Sequence, residues 1–283
     1  MYTRLAVVDN ERDALELLAD AEAHPHKATA LHLEEQLQVD LTGEFIQSGL
    51  NQTVLLKAFS KIDGSPKMVK MGGAGDFDKF SQLHLSRERA EELHLVRIEG
   101  KCEESESDAH SKADSNAPFR EPKNAAVMKS YACSLDAVPY LPEPVLLDRL
   151  ASMVQTLQFL HSTDGGTRPP LYHNDVKVEN IFVSESGDWF LGDYGCMCER
   201  DEELYQITAA YVPLDTVVTP CVALDIWMLV VAVLLKIKSK KLLSVRSRFT
   251  QRQVVVAIED IEHEALKMEL KRLVCENPLK SRG

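Results

Sequence analysis

The chain has 283 residues, 45% of them hydrophobic, enough for one large domain or two lobes around a sizeable core. Its 32 basic residues against 44 acidic ones give a formal net charge of −12, which argues against broad binding to nucleic acid or anionic membranes and favours basic partners. Six scattered cysteines include no pair of CxxC elements at zinc spacing, so no structural metal site is expected.

The N-terminal M-Y-T-R-L-A-V-V-D-N turns charged again before a long apolar segment develops, so it does not read as a secretory signal. The longest apolar run, Ile226 to Leu235, is too short to span a bilayer. The expectation is a soluble intracellular protein, cytoplasmic or nuclear, without membrane or nucleic-acid partners. Residues 11 to 37 are rich in Ala, Leu and Glu and break at His24-Pro25-His26. They predict two short helices within an extension over residues 1–40, a packing element or a docking point for a partner.

From about residue 38 the pattern changes to short strands. Val39 to Phe45 and Thr53 to Phe59 are strand-like and flank a turn at Gln47 to Gln52; Lys67 to Met71 follows a turn at Asp63-Gly64-Ser65-Pro66. Asp76 to Leu95 carries apolar residues at helical spacing (Phe77, Phe80, Leu83, Ala90, Leu93) and predicts one amphipathic helix. Leu95 to Ile98 restarts a strand. Residues 101–122 are polar and aperiodic, a surface insertion. Ala125 to Tyr131 reads as a further strand and its exit. Beyond it the chain turns helical: Pro142 to His161 opens with Pro and Glu as a helix start should, and Ser162 to Pro170 is a Gly/Pro loop.

The stretch from His173 to Gly195, H-N-D-V-K-V-E-N-I-F-V-S-E-S-G-D-W-F-L-G-D-Y-G, holds the chemistry. Two apolar runs, Ile181-Phe182-Val183 and Trp189-Phe190-Leu191, are split by a Ser-Gly-Asp turn signal and predict a β-hairpin with a polar loop before and after it. Such a hairpin brings both loops to one end of a sheet. An acid that orients a nucleophile (Asp175), a lysine for phosphate charge (Lys177), and Asn180 and Asp193 as oxygen ligands would then face one space. These are the groups phosphoryl transfer needs, since its catalysis is mainly positioning and charge neutralisation.

This stretch resembles the catalytic and metal loops of the protein kinases, H-R-D-L-K-P-E-N followed by D-F-G, with the family's spacing from Asp175 to Asn180 and from Asp175 to Asp193. The resemblance implies an α+β, bilobal kinase-like fold with a small β-rich N-lobe over 41–130 and a larger, mainly helical C-lobe over 131–283, short at its C-terminus. It implies ATP and Mg²⁺ as cofactors and a protein Ser/Thr hydroxyl as acceptor, the lysine two residues after Asp175 favouring Ser/Thr over Tyr. Asp175 would orient the hydroxyl, Lys177 would stabilise the transferred group, and Asn180 and Asp193 would hold Mg²⁺. His173 and Tyr194 would pack beneath the site.

In the N-lobe the resemblance makes the turn at 47–52 the Gly-rich lid, of which only Gly49 and Val54 stand in register. Lys70 would grip the α- and β-phosphates, with Lys57 and Lys67 as weaker competitors, and Glu88, or else Glu91 or Glu92, would pair with it from the predicted helix. Met68 stands where the family has an Ala against adenine, extra volume that typically costs about 1–3 kcal/mol in a packed site. Met128, the backbone near Lys129 and Tyr131, and Phe182 complete the expected nucleotide contacts. Asn174 replaces the arginine that usually receives a phosphate on the activation segment, so activity is expected not to depend on phosphorylation there. Cys196 and Cys198 read as buried thiols or a redox-sensitive pair.

Thr208 to Pro213 resembles the substrate-docking end of that segment, shortened by a residue and with Leu214-Asp215 in place of the closing Glu. Asp225-Ile226-Trp227 resembles the start of the buried central helix, with Asp225 holding the catalytic-loop backbone. Glu262 to Cys275 predicts an amphipathic helix leading to a Pro278…Arg282 ending, whose Arg282 would use Asp215. The region 238–261 lacks the usual helix signals. Two other readings fit less well: a pseudokinase acting as a binding module, suggested by Met68 and the poor lid, and a small-molecule phosphotransferase of the aminoglycoside type, opposed by Asp193-Tyr194-Gly195 and Asp225-Ile226-Trp227.

Overall fold

A computed structural model describes residues 33–48, 53–103, 124–163, 166, 168–204, 207–237 and 249–280. The chain is α+β, with a β-rich part followed by a helical part, as in a kinase-like fold. It divides into two compact units, Met1–Ser81 with Arg97–Ser130, and Gln82–Val96 with Tyr131–Gly283.

The first unit is built on an antiparallel five-stranded sheet, order β1-β2-β3-β5-β4. Its strands are β1 (Val39–Ser48), β2 (Thr53–Ser60), β3 (Pro66–Met71), β4 (Ile98–Glu103) and β5 (Asn124–Lys129), with helix α1 (Ala74–Ser81) between β3 and β4. The alternation along each strand sends one set of side chains into a core of Leu33, Leu37, Val39, Ala58, Val69, Cys102, Ala125 and Val127. Leu33 and Leu37 reach it from a helical turn closed by Leu37 N donating to Leu33 O at 2.9 Å. The rest of the predicted N-terminal helices, and residues 104–123 of the predicted insertion, lie outside the described residues.

The single helix predicted over Asp76 to Leu95 is two helices. α1 ends at Ser81, and α2 (Arg87–Glu92) belongs to the second unit. His84 takes a left-handed φ of +50°, which no helix continues through, and Ser86 starts α2 afresh by accepting the Arg89 amide on its hydroxyl. The apolar spacing was real on each side of the break and could not reveal it. Leu95, predicted to restart a strand, makes only an isolated bridge to Leu191, and β4 begins at Ile98.

In the second unit a short sheet, order β6-β7-β8, joins β6 (Cys133–Ser134), β7 (Ile181–Val183) and β8 (Trp189–Leu191). The long helix α3 (Glu143–His161) packs on β8 and on α4 (Val222–Lys236). Residues 224–234 of α4 are all buried, as a helix apolar on every side requires. α5 (Gln251–Glu259) and α6 (Glu264–Glu276) complete the unit. α5 was not expected, although its start is signalled by a capping box in which Thr250 and Gln253 each bond the other's backbone amide. Among the described residues no helix is long and apolar enough to cross a membrane.

Candidate active site

The predicted hairpin is present as β7 and β8, in register Ile181↔Leu191, Phe182↔Phe190 and Val183↔Trp189. Its turn is fixed by Ser184, whose hydroxyl accepts the Asp188 amide at 3.0 Å. The flanking loops are stitched at its open end. Gly192 N donates to Asn180 O at 2.9 Å, and buried His173 Nε2 donates to Gly192 O at 3.1 Å. With Nε2 donating, Nδ1 faces the Asp175 amide at 3.4 Å. Gly192 allows the close approach, since a Cβ there would stand 2.7 Å from Val96 Cγ2 and 3.0 Å from Phe182 Cε2. Tyr194, fully buried, donates its hydroxyl to Val96 O and Leu191 O.

A buried hub holds the loop from below. Asp225, on the first turn of α4 and completely inaccessible, accepts from His173 N at 2.8 Å, Asn174 N at 2.7 Å and His161 Nε2 at 2.8 Å. Asn174 has φ +60°, a conformation its short amide side chain tolerates better than most residues. From there its Nδ2 donates to Tyr172 O, to Cys196 O at 3.2 Å and to Cys198 Sγ at 3.1 Å. Tyr172 and Cys198 also exchange backbone bonds of 2.8 and 3.0 Å. The residue in the place of the family's arginine is therefore a buried tie to the segment after Asp193.

On this frame Asp175, 6% exposed, presents a carboxylate with each oxygen engaged. Oδ2 accepts from Lys177 Nζ at 2.6 Å and Asn180 Nδ2 at 2.9 Å. Oδ1 accepts the Thr208 hydroxyl at 2.6 Å, and Lys177 Nζ donates to that same hydroxyl at 3.0 Å. The sequence marks Thr208 only as the start of a docking segment; its contact with Asp175 joins residues 33 apart, beyond any local spacing rule. The segment is tied again by Tyr211, whose hydroxyl accepts the Val178 amide and donates to Glu179. Burial, with the Glu179 carboxylate beside it, pushes the Tyr211 phenol far above its ordinary range, so it stays a donor.

The donor set suits a hard cation. Both hydrogens of the Asn180 amide are committed to Asp175, to its carboxylate and to its carbonyl, so the group Asn180 has left to offer is its Oδ1. Asp193 supplies a half-buried carboxylate from a backbone held at φ +63°, an arrangement unusual for a non-glycine residue and typical of sites that spend strain on orientation. Oxygens of this kind are what Mg²⁺ takes beside phosphate. Phe182 is half-buried on β7, and Tyr131 packs its ring on Phe182 at 5.8 Å and Phe190 at 5.0 Å.

In the first unit, Lys70 and Met68 share one face of β3, with Met68 opposite Met128 and Lys70 opposite Ala126 on β5, whose last residue is Lys129. Of the competing lysines, Lys67 is bound to Glu99 at 2.8 Å and Lys57 to Glu44 on the surface. Val54 lies on β2; Gly49 lies outside the described residues. Lys70 Nζ stands 2.7 Å from the carboxylate of Asp76 on α1, an acid the sequence reading passed over; Glu88, the acid expected there, is exposed on α2. Arg282 lies outside the described residues, and Asp215 Oδ1 accepts the Gln251 amide.

No family model matches the chain. A stretch of 82 residues, 28% of this chain and 13% of the relative, is 39% identical to the serine/threonine-protein kinase PINK1, mitochondrial, of Rattus norvegicus. Another comparison covers 66 residues, 23% of the chain and 15% of the relative, at 36% identity to the serine/threonine-protein kinase US3 homolog of varicella-zoster virus (strain Dumas). The US3 homolog of Cercopithecine herpesvirus 9 (strain DHV) is 40% identical over 47 residues, 17% of the chain and 12% of the relative. The matched stretches thus span no more than 15% of the length of these curated relatives. Together with the loops of the hairpin stitched as they are around Asp175, these partial likenesses support a protein kinase-like relationship.

Proposed function

We propose that the chain is an ATP-dependent protein kinase that transfers the γ-phosphate of Mg·ATP to a Ser or Thr hydroxyl of a protein. The observation that carries this reading is the Asp175 carboxylate, which already receives a hydroxyl on Oδ1 while Lys177 and Asn180 fix Oδ2. A carboxylate oxygen accepts more than one hydrogen bond, so Oδ1 has room for an acceptor alcohol beside Thr208.

In this reading Asp175 orients the incoming hydroxyl and takes up its proton as the bond to phosphorus forms. Lys177 places a positive charge beside that hydroxyl and balances charge on the migrating group. Asn180 Oδ1 and the Asp193 carboxylate would hold Mg²⁺, and Lys70 is assigned the α- and β-phosphates. Mg·ATP, when bound, supplies the phosphoryl group and the divalent charge that neutralises it. His173 and Asp225 do no chemistry; they keep the loop from moving.

A second reading, a binding module with little or no catalysis, draws on Met68, which stands half-buried opposite Met128 on the face of β3 that carries Lys70. The test is transfer of labelled phosphate from Mg·ATP to the protein itself and to a basic Ser/Thr substrate, with Asp175→Ala alongside. Transfer that falls by about 10²–10⁴-fold in the variant supports the kinase. No transfer, or transfer that survives the substitution, leaves the binding module.

A further inference from the structure

Lys70 sits near the end of β3, and the chain needs only a five-residue path, Met71-Gly72-Gly73-Ala74-Gly75, to return an acid to it. The path is tightly determined. Gly72 has φ +78°, a region that L side chains rarely enter. At Gly73 a Cβ would meet Lys70 O at 2.9 Å, Ala126 Cβ at 3.1 Å and Lys70 Cβ at 3.2 Å, so the turn folds directly onto the strand it has left. Asn124, the first residue of β5, holds the turn from the neighbouring strand: its carbonyl accepts Gly72 N at 2.7 Å, and its Oδ1 accepts Ala74 N at 3.3 Å. Gly73 O in turn accepts Asp76 N at 3.0 Å and Phe77 N at 3.3 Å, which starts α1. Asp76 is thereby 3% exposed with its Oδ2 2.7 Å from Lys70 Nζ, itself 13% exposed.

We propose that Asp76 is a positioning residue that acts through Lys70, and that the Gly72-Gly73 turn and Asn124 lock this pair inside one strand–turn–helix unit. The inference rests on the reading of Lys70 as a phosphate ligand. The lysine then needs no acid delivered by a separate element, because its counter-ion is covalently six residues away on a turn with little freedom. Nucleotide binding finds the amine already aimed, and the site has no resting state in which Lys70 and its acid are apart.

The test compares Asp76→Asn, Asp76→Glu, Gly73→Ala, Asn124→Ala and Glu88→Gln with the wild type. Asp78→Asn serves as control, its exposed carboxylate on the same helix being engaged with Lys101. One readout needs no nucleotide: the rate at which an amine-reactive ester modifies Lys70, followed by mass spectrometry. The other is KM for Mg·ATP measured separately from kcat, with thermal melting to confirm folding. Asp76→Asn is expected to speed Lys70 modification and raise KM by about 10–100-fold, the range for a misplaced functional group, with a smaller effect on kcat. Asp76→Glu should restore part of both. Gly73→Ala and Asn124→Ala should shift them in the same direction by less, and Asp78→Asn should leave them alone.

Should Asp76→Asn fail to fold, Asn124→Ala and Asp76→Glu carry the same comparison. Unchanged Lys70 modification in the Asp76 variants overturns the pairing whichever way nucleotide binding falls. An equal effect from Glu88→Gln, with Asp76→Asn near wild type, overturns it in favour of α2. A wild type that binds no Mg·ATP sinks the kinase reading instead, and the modification rates then still decide whether Asp76 holds Lys70.

Discussion

Two charged groups of this molecule are aimed by contrasting means. In the second unit, the loop bearing Asp175 is held by Asp225, which arrives on a buried helix 50 residues later and takes two backbone amides and an imidazole at once. In the first unit, Lys70 is held by an acid six residues away on a glycine turn. The long-range arrangement couples the site to the whole core, so breaking it is a folding event. The local one costs little elsewhere, so breaking it is felt mainly in function.

The contrast predicts its largest effect at Asp225. Asp225→Ala strips the acceptor from two buried amides and from His161 without giving water access, and is expected to destabilise the protein by about 3–5 kcal/mol. Urea unfolding measures it. Asp225→Asn keeps one acceptor oxygen and should lose distinctly less. Asn124→Ala in the first unit, for comparison, removes one long side-chain bond and should cost about 0.5–1.5 kcal/mol. Equal losses at Asp225 and Asn124 would erase the distinction between a global and a local support.

Gly192 and Asn174 come next, both where the two loops meet. A methyl group at 192 would overlap Val96 and Phe182, so Gly192→Ala should cost about 1–3 kcal/mol, and Val96→Ala should recover part of it by making room. Recovery of nothing would mean that the backbone, not the volume, is limiting. Asn174→Ala loses the donor to Cys196 O and Cys198 Sγ and should cost about 1–2 kcal/mol, with transfer falling alongside stability. Because that amide already ties the segment down, activity should not need a phosphate there, while Thr208→Ala and Tyr211→Phe, which each cut a hydroxyl tie to the catalytic loop, should lower transfer; a rate that rises on phosphorylation of Tyr205 would contradict this.

The same contrast explains what could be read in the sequence. The second unit was legible because its chemistry is dense in one stretch: Asp175, Lys177, Asn180 and Asp193 occur in register around two apolar runs, and Asp225 stands before Ile226-Trp227 at the head of an apolar helix. The first unit offers a lone lysine on a strand and many acids after it. Spacing along an apparently continuous helix points to Glu88 and passes over Asp76, which the glycine turn brings to Lys70, and it does not show the break at His84. Glycine pairs say that a turn is tight but not which way it folds, and that direction is what brings Asp76 to Lys70. Thr208 was hidden for the opposite reason, since its contact with Asp175 depends on how the segment returns after Tyr194.

The smallest effect is a pH slope at Lys236, the last residue of α4. Its amine is buried and donates to Asp136 O at 3.1 Å and Val138 O at 2.8 Å. Burial lowers its pKa below the ordinary lysine value of 10.5, against the pull of Asp136 and Glu179. The unfolded chain therefore holds this proton more tightly than the folded one. Stability is diminished below the folded pKa and is regained as pH rises through it towards 10.5, with a slope of at most about 1.4 kcal/mol per pH unit for one proton. The neutral amine still has a hydrogen for each carbonyl, so deprotonation leaves the tie between α4 and residues 136–138 intact. Lys236→Met, lacking both donors and the proton, should lose that gain: wild type and variant should draw apart as pH rises through the alkaline range. Parallel curves would place the Lys236 proton in the same state in the folded and unfolded chains, and burial would then cost this amine nothing.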